Sequence, residues 1–258
     1  LSSSANHIFD LTVGYSNNST LSSSANTQNA DKINIYNQMA QLLVGHDQTG
    51  SIREFDADGN LSAGAKLQEC VFINFARILQ KDEIKKGSFT MVVGDNTGFV
   101  SPFFKGKSGT TPLAGISITD TNAQNSYKVN SPAGEYAILY ASGSTTPNTS
   151  KVGLLYYQAG VAVLTASVFL GSATDATNGL VTGTVNYTPS GQTITKPLTS
   201  VSISGSSDCL RHRIYDIDFN NSTELNSTIY FARAGHNEFN YSSNPSYISS
   251  QANNKSQI

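Results

Sequence analysis

The sequence predicts an α+β fold, with a helical N-terminal part of two helices followed by a predominantly antiparallel β domain of sandwich or barrel-like form. Apolar residues recur at helical spacing between Asn26 and Val44 and again between Ser62 and Lys86. After Gly87 the apolar period becomes two, and Gly, Pro and Asn punctuate the chain at short intervals as far as Leu210. Residues 1–30 then read as an extended arm, 31–93 as the helical region with a short strand, and 94–220 as the antiparallel β domain. Residues 221–258 read as a C-terminal strand with an aromatic and Asn-Pro segment, truncated at its end.

The arm is rich in Ser, Asn and Thr, and Leu-Ser-Ser-Ser-Ala-Asn occurs at residues 1–6 and again at 21–26. Two copies do not make a repeat protein. Between them Phe9, Leu11, Val13 and Tyr15 alternate as a half-buried strand requires. The arm is otherwise too polar to offset its own ordering entropy, so it is expected to order only against a neighbouring subunit. Leu1-Ser2-Ser3-Ser4 has neither an initiator Met nor the basic and apolar regions of a signal peptide, and reads as other than the natural start.

The first helix places Ile33, Tyr36, Met39, Ala40 and Leu43 on one face and ends at Gly45, where a C-terminal cap belongs. The second gathers Leu67, Cys70, Val71, Asn74, Phe75, Ile78 and Leu79 and closes at Gly87, with Lys81, Asp82, Glu83, Lys85 and Lys86 as a solvated last turn. Strands are expected at 88–93, 134–140, 153–158, 161–169, 180–187 and 198–204, with a tight Gly-containing hairpin across 156–161. Two more, at 211–219 and 228–233, flank the polar turn 220–222.

Composition narrows the function. Charged residues make up 13% of the chain, about half the share in an average soluble domain, where it is roughly 25%. A net charge of −2 supplies no field that gathers phosphates, so nucleic acid is not an expected partner. The longest apolar stretch, Val161 to Leu170, falls well short of the roughly 20 residues that span a bilayer, so no membrane is expected either. Cys70 and Cys209 are too few for a disulfide framework or a structural zinc site and read as buried thiols.

Each motif with a chemical reading lacks an essential part. Gly106-Lys107-Ser108 resembles the end of a phosphate-binding loop, but Ser101 stands where that motif needs its first Gly. Asp56-Ala57-Asp58-Gly59-Asn60 opens like an EF-hand, yet Leu61 replaces the bending Gly and Leu67 the bidentate Glu, leaving an Asx-type turn. His7, His46, His212 and His236 have no zinc-ligand spacing. The densest titratable cluster is Asp208, His212, Asp216 and Asp218; without a nucleophile motif it reads as surface pairing with Arg211 and Arg213. The sequons at Asn148, Asn186 and Asn226 are what so Asn- and Ser/Thr-rich a chain produces by chance. No catalytic, cofactor-binding or metal-binding residue is assigned, and no cofactor is expected.

A resemblance rests on Asp31-Lys32-Ile33-Asn34-Ile35-Tyr36-Asn37-Gln38-Met39-Ala40, on Phe75-Ala76-Arg77, and on Asp82-Glu83-Ile84-Lys85-Lys86-Gly87-Ser88-Phe89. Ser227-Thr228-Ile229-Tyr230-Phe231-Ala232-Arg233 and Glu238-Phe239-Asn240-Tyr241-Ser242-Ser243-Asn244-Pro245-Ser246-Tyr247 add to it. These resemble virion structural proteins of T4-like contractile-tailed bacteriophages of the marine and cyanophage type. The resemblance implies a tail or baseplate component, assembled in the host cytoplasm, with other virion proteins as partners and a homo-oligomer within a symmetric assembly. It implies no catalysis. In the resembling proteins the chain continues beyond the Asn-Pro-Ser-Tyr turn, which implies a truncated C-terminus here.

Tyr230, Phe231, Phe239, Tyr241 and Tyr247 are the expected interface residues, since tyrosine and phenylalanine give large contact areas. The alternative is a receptor- or carbohydrate-binding β module whose tyrosines stack on sugar rings. A tail-borne polysaccharide hydrolase ranks below both, because the β region offers few acids, chiefly Asp120, Glu135 and Asp175.

Overall fold

The computed structural model describes residues 8–62, 64, 66–94, 99–100, 104–105, 115–142, 150–169, 195–211, 214–223, 225, 227–233, 248–251 and 254–257. The chain divides into two units, Leu1–Glu224 and Leu225–Ile258. The first begins with β1 (Asp10–Tyr15), α1 (Asn29–Leu43), β2 (Phe55–Asp56), β3 (Lys66–Leu67), β4 (Glu69–Asn74), β5 (Glu83–Ile84) and β6 (Thr90–Gly94). It continues with β7 (Phe99–Val100), β8 (Phe104–Lys105), β9 (Gly115–Thr119), α2 (Ala123–Ser126), β10 (Tyr136–Ser142), β11 (Ser150–Tyr156) and β12 (Val161–Thr165). After α3 (Thr195–Ser200) and α4 (Ile203–Arg211) come β13 (Ile214–Asp218) and β14 (Asn221–Ser222). The second unit holds a hairpin of β15 (Ile248–Gln251) and β16 (Asn254–Gln257).

Eight strands form one antiparallel sheet, in the order β1-β4-β12-β11-β10-β9-β6-β13, curled into a half-barrel. Alternation along each strand gives the sheet two apolar faces. One carries Val13, Val71, Ile73, Met91, Val93, Ile118, Leu139 and Leu164 and packs with Leu198 and Leu210 from α3 and α4. The other carries Cys70, Phe72, Leu154, Tyr156, Val161 and Val163 and is covered by α1 and by Phe55 and Leu67 of the β2–β3 pair. A bulge between Leu139 and Tyr140 leaves Val152 unopposed, which puts Val152 and Leu155 in the same core although they lie three apart.

Helix α1 approaches β1 so closely that a Cβ on Gly14 would lie 2.8 Å from the Lys32 carbonyl oxygen and 2.9 Å from the Tyr36 nitrogen. Only glycine fits there. The buried face of the helix is Lys32, Tyr36, Ala40 and Leu43, and Gly45, at φ 82°, closes it by donating its N–H to the Ala40 carbonyl. The Tyr36 hydroxyl donates to Leu67 O at 2.8 Å and accepts the Phe55 N–H at 3.2 Å, fixing the β2–β3 pair against the helix.

The structure corrects several expectations. The second helix does not exist: residues 66–84 form β3, β4, a 3₁₀ turn at Ala76–Ile78 and β5. Cys70, Val71, Phe72 and Ile73 are all buried because β4 lies between β1 and β12 with both faces covered. A doubly covered strand reads as an unbroken apolar run, and such a run contains helix-spaced apolar residues by necessity. The expected strand at 198–204 is the α3–α4 corner, where the Ser202 hydroxyl caps α4 by accepting the Gly205 N–H at 3.2 Å. From residue 8 on, the N-terminal arm is part of the fold, since β1 pairs along its whole length with β4 and Val13 and Tyr15 are fully buried. Residues 228–233 form no strand. Of the expected sandwich or barrel-like form, the structure shows a curled half-barrel sheet with helices packed on both faces.

The first helix, the strand at 9–15, the strands near 88–93, 134–140 and 153–158, and the strand within 211–219 are present, as is the 156–161 hairpin, with Gly160 at φ 64°; of the strand expected at 161–169, Val161–Thr165 is strand and Ala166–Phe169 is a 3₁₀ turn. The expected strand at 180–187 lies outside the described residues.

Phe75 stands at the end of β4 with the rings of Phe9, Phe89 and Phe219 at 6.4, 5.8 and 5.5 Å between centroids. Phe75→Ala empties the centre of this cluster and is expected to cost about 3–5 kcal/mol. Urea unfolding of the two proteins measures it; an unchanged midpoint would place the ring outside the core.

Candidate functional site

Few charges are buried, and those that are have partners within the fold. Lys32 is fully buried. Its ammonium donates to three backbone carbonyls, Thr27 at 2.8 Å, Leu198 at 2.7 Å and Val201 at 2.7 Å. Leu198 and Val201 stand at the C-terminal end of α3, where unpaired carbonyls favour a cation. Burial pulls the Lys32 pKa down to about 8.

Asp120 is the second such group. Its carboxylate accepts the Gly87 N–H at 2.6 Å, the Phe89 N–H at 3.0 Å and the Tyr157 hydroxyl at 2.8 Å. Burial raises its pKa, and the three donors oppose that rise. Nearby, Lys86 bridges Glu83 at 3.2 Å and Glu135 at 2.5 Å, and lies over the rings of Tyr127 and Tyr157 at 5.2 and 5.4 Å. Desolvation acts to lower the Lys86 pKa, but the hydrogen bonds to Glu135 and Glu83 outweigh it and the value lies above normal. Asp120 and Glu135, the acids on which a hydrolase reading relied, are thus committed to backbone amides and to a lysine.

The loop 56–60 is held by internal bonds. Asp56 is fully buried and paired with Lys66 at 3.1 Å, so an ammonium stands where a metal cation would be needed. Asp58 accepts the Asn60 N–H at 3.1 Å, and Asn60 accepts the Ser62 N–H at 2.7 Å, as successive Asx turns do. The hydrogen bond from Asn60 contributes most to holding the exposed Asp58 carboxyl below the ordinary range. Gly59 at φ 68° and Leu61 at φ 60° complete the bend. Among the described residues no group of three His, Cys, Asp or Glu side chains stands together.

The remaining sequence candidates scatter. Asp208 pairs with Arg211 on α4, while Asp216 and Asp218 are exposed on β13. Cys70 is a buried thiol whose pKa desolvation pushes well above normal. His46 lies in an isolated bridge with Ile52. His7, residues 106–108, Asp175, His212, Arg213, His236, Phe239, Tyr241 and Tyr247 lie outside the described residues. Tyr136, Tyr156 and Tyr157 of the β region are at most 1% exposed, so they offer no ring to a sugar. No helix among the described residues is long and apolar enough to cross a membrane.

What stays open is apolar. Tyr230 and Phe231 are 88% and 92% exposed, and Leu225 and Ile229 are exposed beside them. In the first unit a groove of about 640 Å³ runs between β1 and α4, lined by Phe9, Leu11, Gln28, Ile203, Ser207 and their neighbours. Neither the groove nor the burial of Lys32 is legible from periodicity: a lysine on a helix reads as solvated, and the groove joins residues almost two hundred positions apart.

Comparison with protein families, with curated proteins and with solved structures finds no match.

Lys32→Met is expected to leave three carbonyls without their donor and to destabilise by about 3 kcal/mol near neutral pH. The pH dependence has a definite sign. Between about pH 8 and 10.5 the folded lysine is neutral while the unfolded one keeps its proton, so the contribution of Lys32 to stability rises with pH across that window. Urea unfolding of both proteins at two pH values checks it, the stability difference between wild type and variant being larger at the higher pH.

Proposed function

We propose that the chain is a non-enzymatic structural subunit that works through subunit contacts, and that its setting is the tail or baseplate of a contractile-tailed bacteriophage virion. The observation that carries the assembly role is the exposed run at 225–233. Large apolar side chains left together in water form an adhesive surface, and an isolated soluble domain ordinarily keeps such patches small. Tyrosine and phenylalanine are also the side chains that anchor protein interfaces. The choice of virion follows from the resemblance of residues 31–40, 75–77, 82–89, 227–233 and 238–247 to phage structural proteins.

The internal chemistry supports the same role. Lys32, Asp56, Lys86 and Asp120 are each engaged by named partners inside the fold, and Tyr136, Tyr156 and Tyr157 of the β10–β12 meander are buried. A surface of Ser, Thr and Asn with few charges carries a small desolvation penalty when a neighbour covers it.

Sedimentation velocity on the whole chain tests the reading. The wild type is expected to associate as its concentration rises from about 1 µM to about 100 µM. Replacing Tyr230 and Phe231 together by Ser is expected to keep it monomeric over that range. A wild-type chain that sediments as a monomer throughout overturns the reading.

A further inference from the structure

We propose that the groove between β1 and α4 receives the segment 228–231 of a second copy of this chain, laid in as an extended strand, so that subunits join head to tail. The proposal rests on the reading of the chain as an assembly subunit and names the surface that its exposed segment meets.

The floor of the groove is apolar, formed by Phe9, just before β1, Leu11 of β1 and Ile203 of α4. Its wall holds the Ser207 hydroxyl, which is buried and has no hydrogen-bond partner. A buried hydroxyl in that condition costs roughly 1–3 kcal/mol. A peptide group of an incoming chain supplies the missing partner. Among the described residues no strand pairs with the outer side of β1, so the strand bordering the groove is an edge, and edges are where extended segments add.

The proposed occupant fits in chemistry and length. Thr228-Ile229-Tyr230-Phe231 is rich in β-branched and aromatic residues, as strands are, yet it pairs with no strand among the described residues of its own chain. Four extended residues span about 13 Å, and the nine residues of α4 that wall the groove span about the same. Extended, the segment turns Ile229 and Phe231 to one side and Tyr230 to the other. Ile229 and Phe231 then meet Phe9, Leu11 and Ile203, while Tyr230 keeps its hydroxyl outward. Groove and segment are different surfaces, so each copy offers one joint of either kind. Such a contact propagates into a ring or a filament.

Complementation between variants tests this. Ser204 is exposed on the groove wall, and Ser204→Arg fills the groove without entering the core. Phe231→Ser removes the anchor from the segment. Each variant alone is expected to weaken self-association about tenfold or more in sedimentation. An equimolar mixture is expected to form a one-to-one dimer, because one intact groove meets one intact segment. Leu11→Ala provides a second groove variant, and unchanged melting of Ser204→Arg shows that its fold is intact. A photo-crosslinker at position 231 should mark residues 9–11 and 202–211 of another copy. Association lost in Phe231→Ser but unchanged in both groove variants overturns the groove as partner and leaves the assembly reading standing. Crosslinks confined to one copy, or a mixture that forms no dimer, also overturn the proposal. A wild type that never associates overturns both.

Discussion

The first unit is closed by a seam at which Lys32 reaches the α3–α4 corner. Helix α1 covers one face of the sheet, α3 and α4 cover the other, and β1 is the edge at which the two coverings meet. Lys32 belongs to the first covering and bonds to the second through Leu198 O and Val201 O. The same seam holds Thr27 N–H to Thr199 O at 2.9 Å, and Ile203 N–H to the Gln28 side chain at 2.9 Å. Gly14 lets α1 come close enough to β1 for the seam to form. An ammonium suits this position because its three N–H donors meet three carbonyls that would otherwise be stranded in the interior.

A chain with so few charges has to place each one with care. Water outside a protein tolerates any arrangement of charges, but a buried charge without partners costs several kcal/mol. Here Asp120 ties the 87–89 turn to Tyr157, Asp56 ties the β2–β3 pair through Lys66, and Lys86 joins Glu83 to Glu135. The Asp120 and Lys86 links join segments distant in sequence, while the Asp56–Lys66 pair reinforces two strands that are already paired. These titratable groups act as cross-braces, and burial is the main cause of the perturbed pKa at Lys32 and at Asp120.

The sequence was legible wherever a single periodicity had one physical cause. Helix α1 follows from its apolar stripe and Gly45, and the β10–β12 meander follows from alternation around a Gly-containing turn. It misled where burial on two sides erased the period. At β4 the run Cys70-Val71-Phe72-Ile73 is what a central strand needs, and Phe72 and Ile73, which fall off the supposed helical face, were the signal against a helix. The 198–204 segment misled for the opposite reason, because alternating Ser and apolar residues mimic a strand while Ser202 is in fact capping α4. Tyr230 and Phe231 are exposed, while the groove is made of positions that only the fold brings together.

That contrast bears on how the two units divide their work. The first unit spends its apolar residues on a sheet covered on both faces and its charges on internal braces, which leaves few features for a partner to recognise. The second begins with a run whose large side chains face water although they resemble a buried strand in composition. A strand-forming sequence stays unpaired only when its partner backbone lies elsewhere, since the sheet bonds it lacks are available at any exposed edge. The first unit has such an edge at β1, beside apolar side chains and a hydroxyl with nothing to bond. In the proposed joint, the open edge of one copy and the unpaired segment of another complete what each leaves open without requiring either fold to change. A rigid interior with complementary open ends is the physical requirement for a subunit that polymerises in a defined direction.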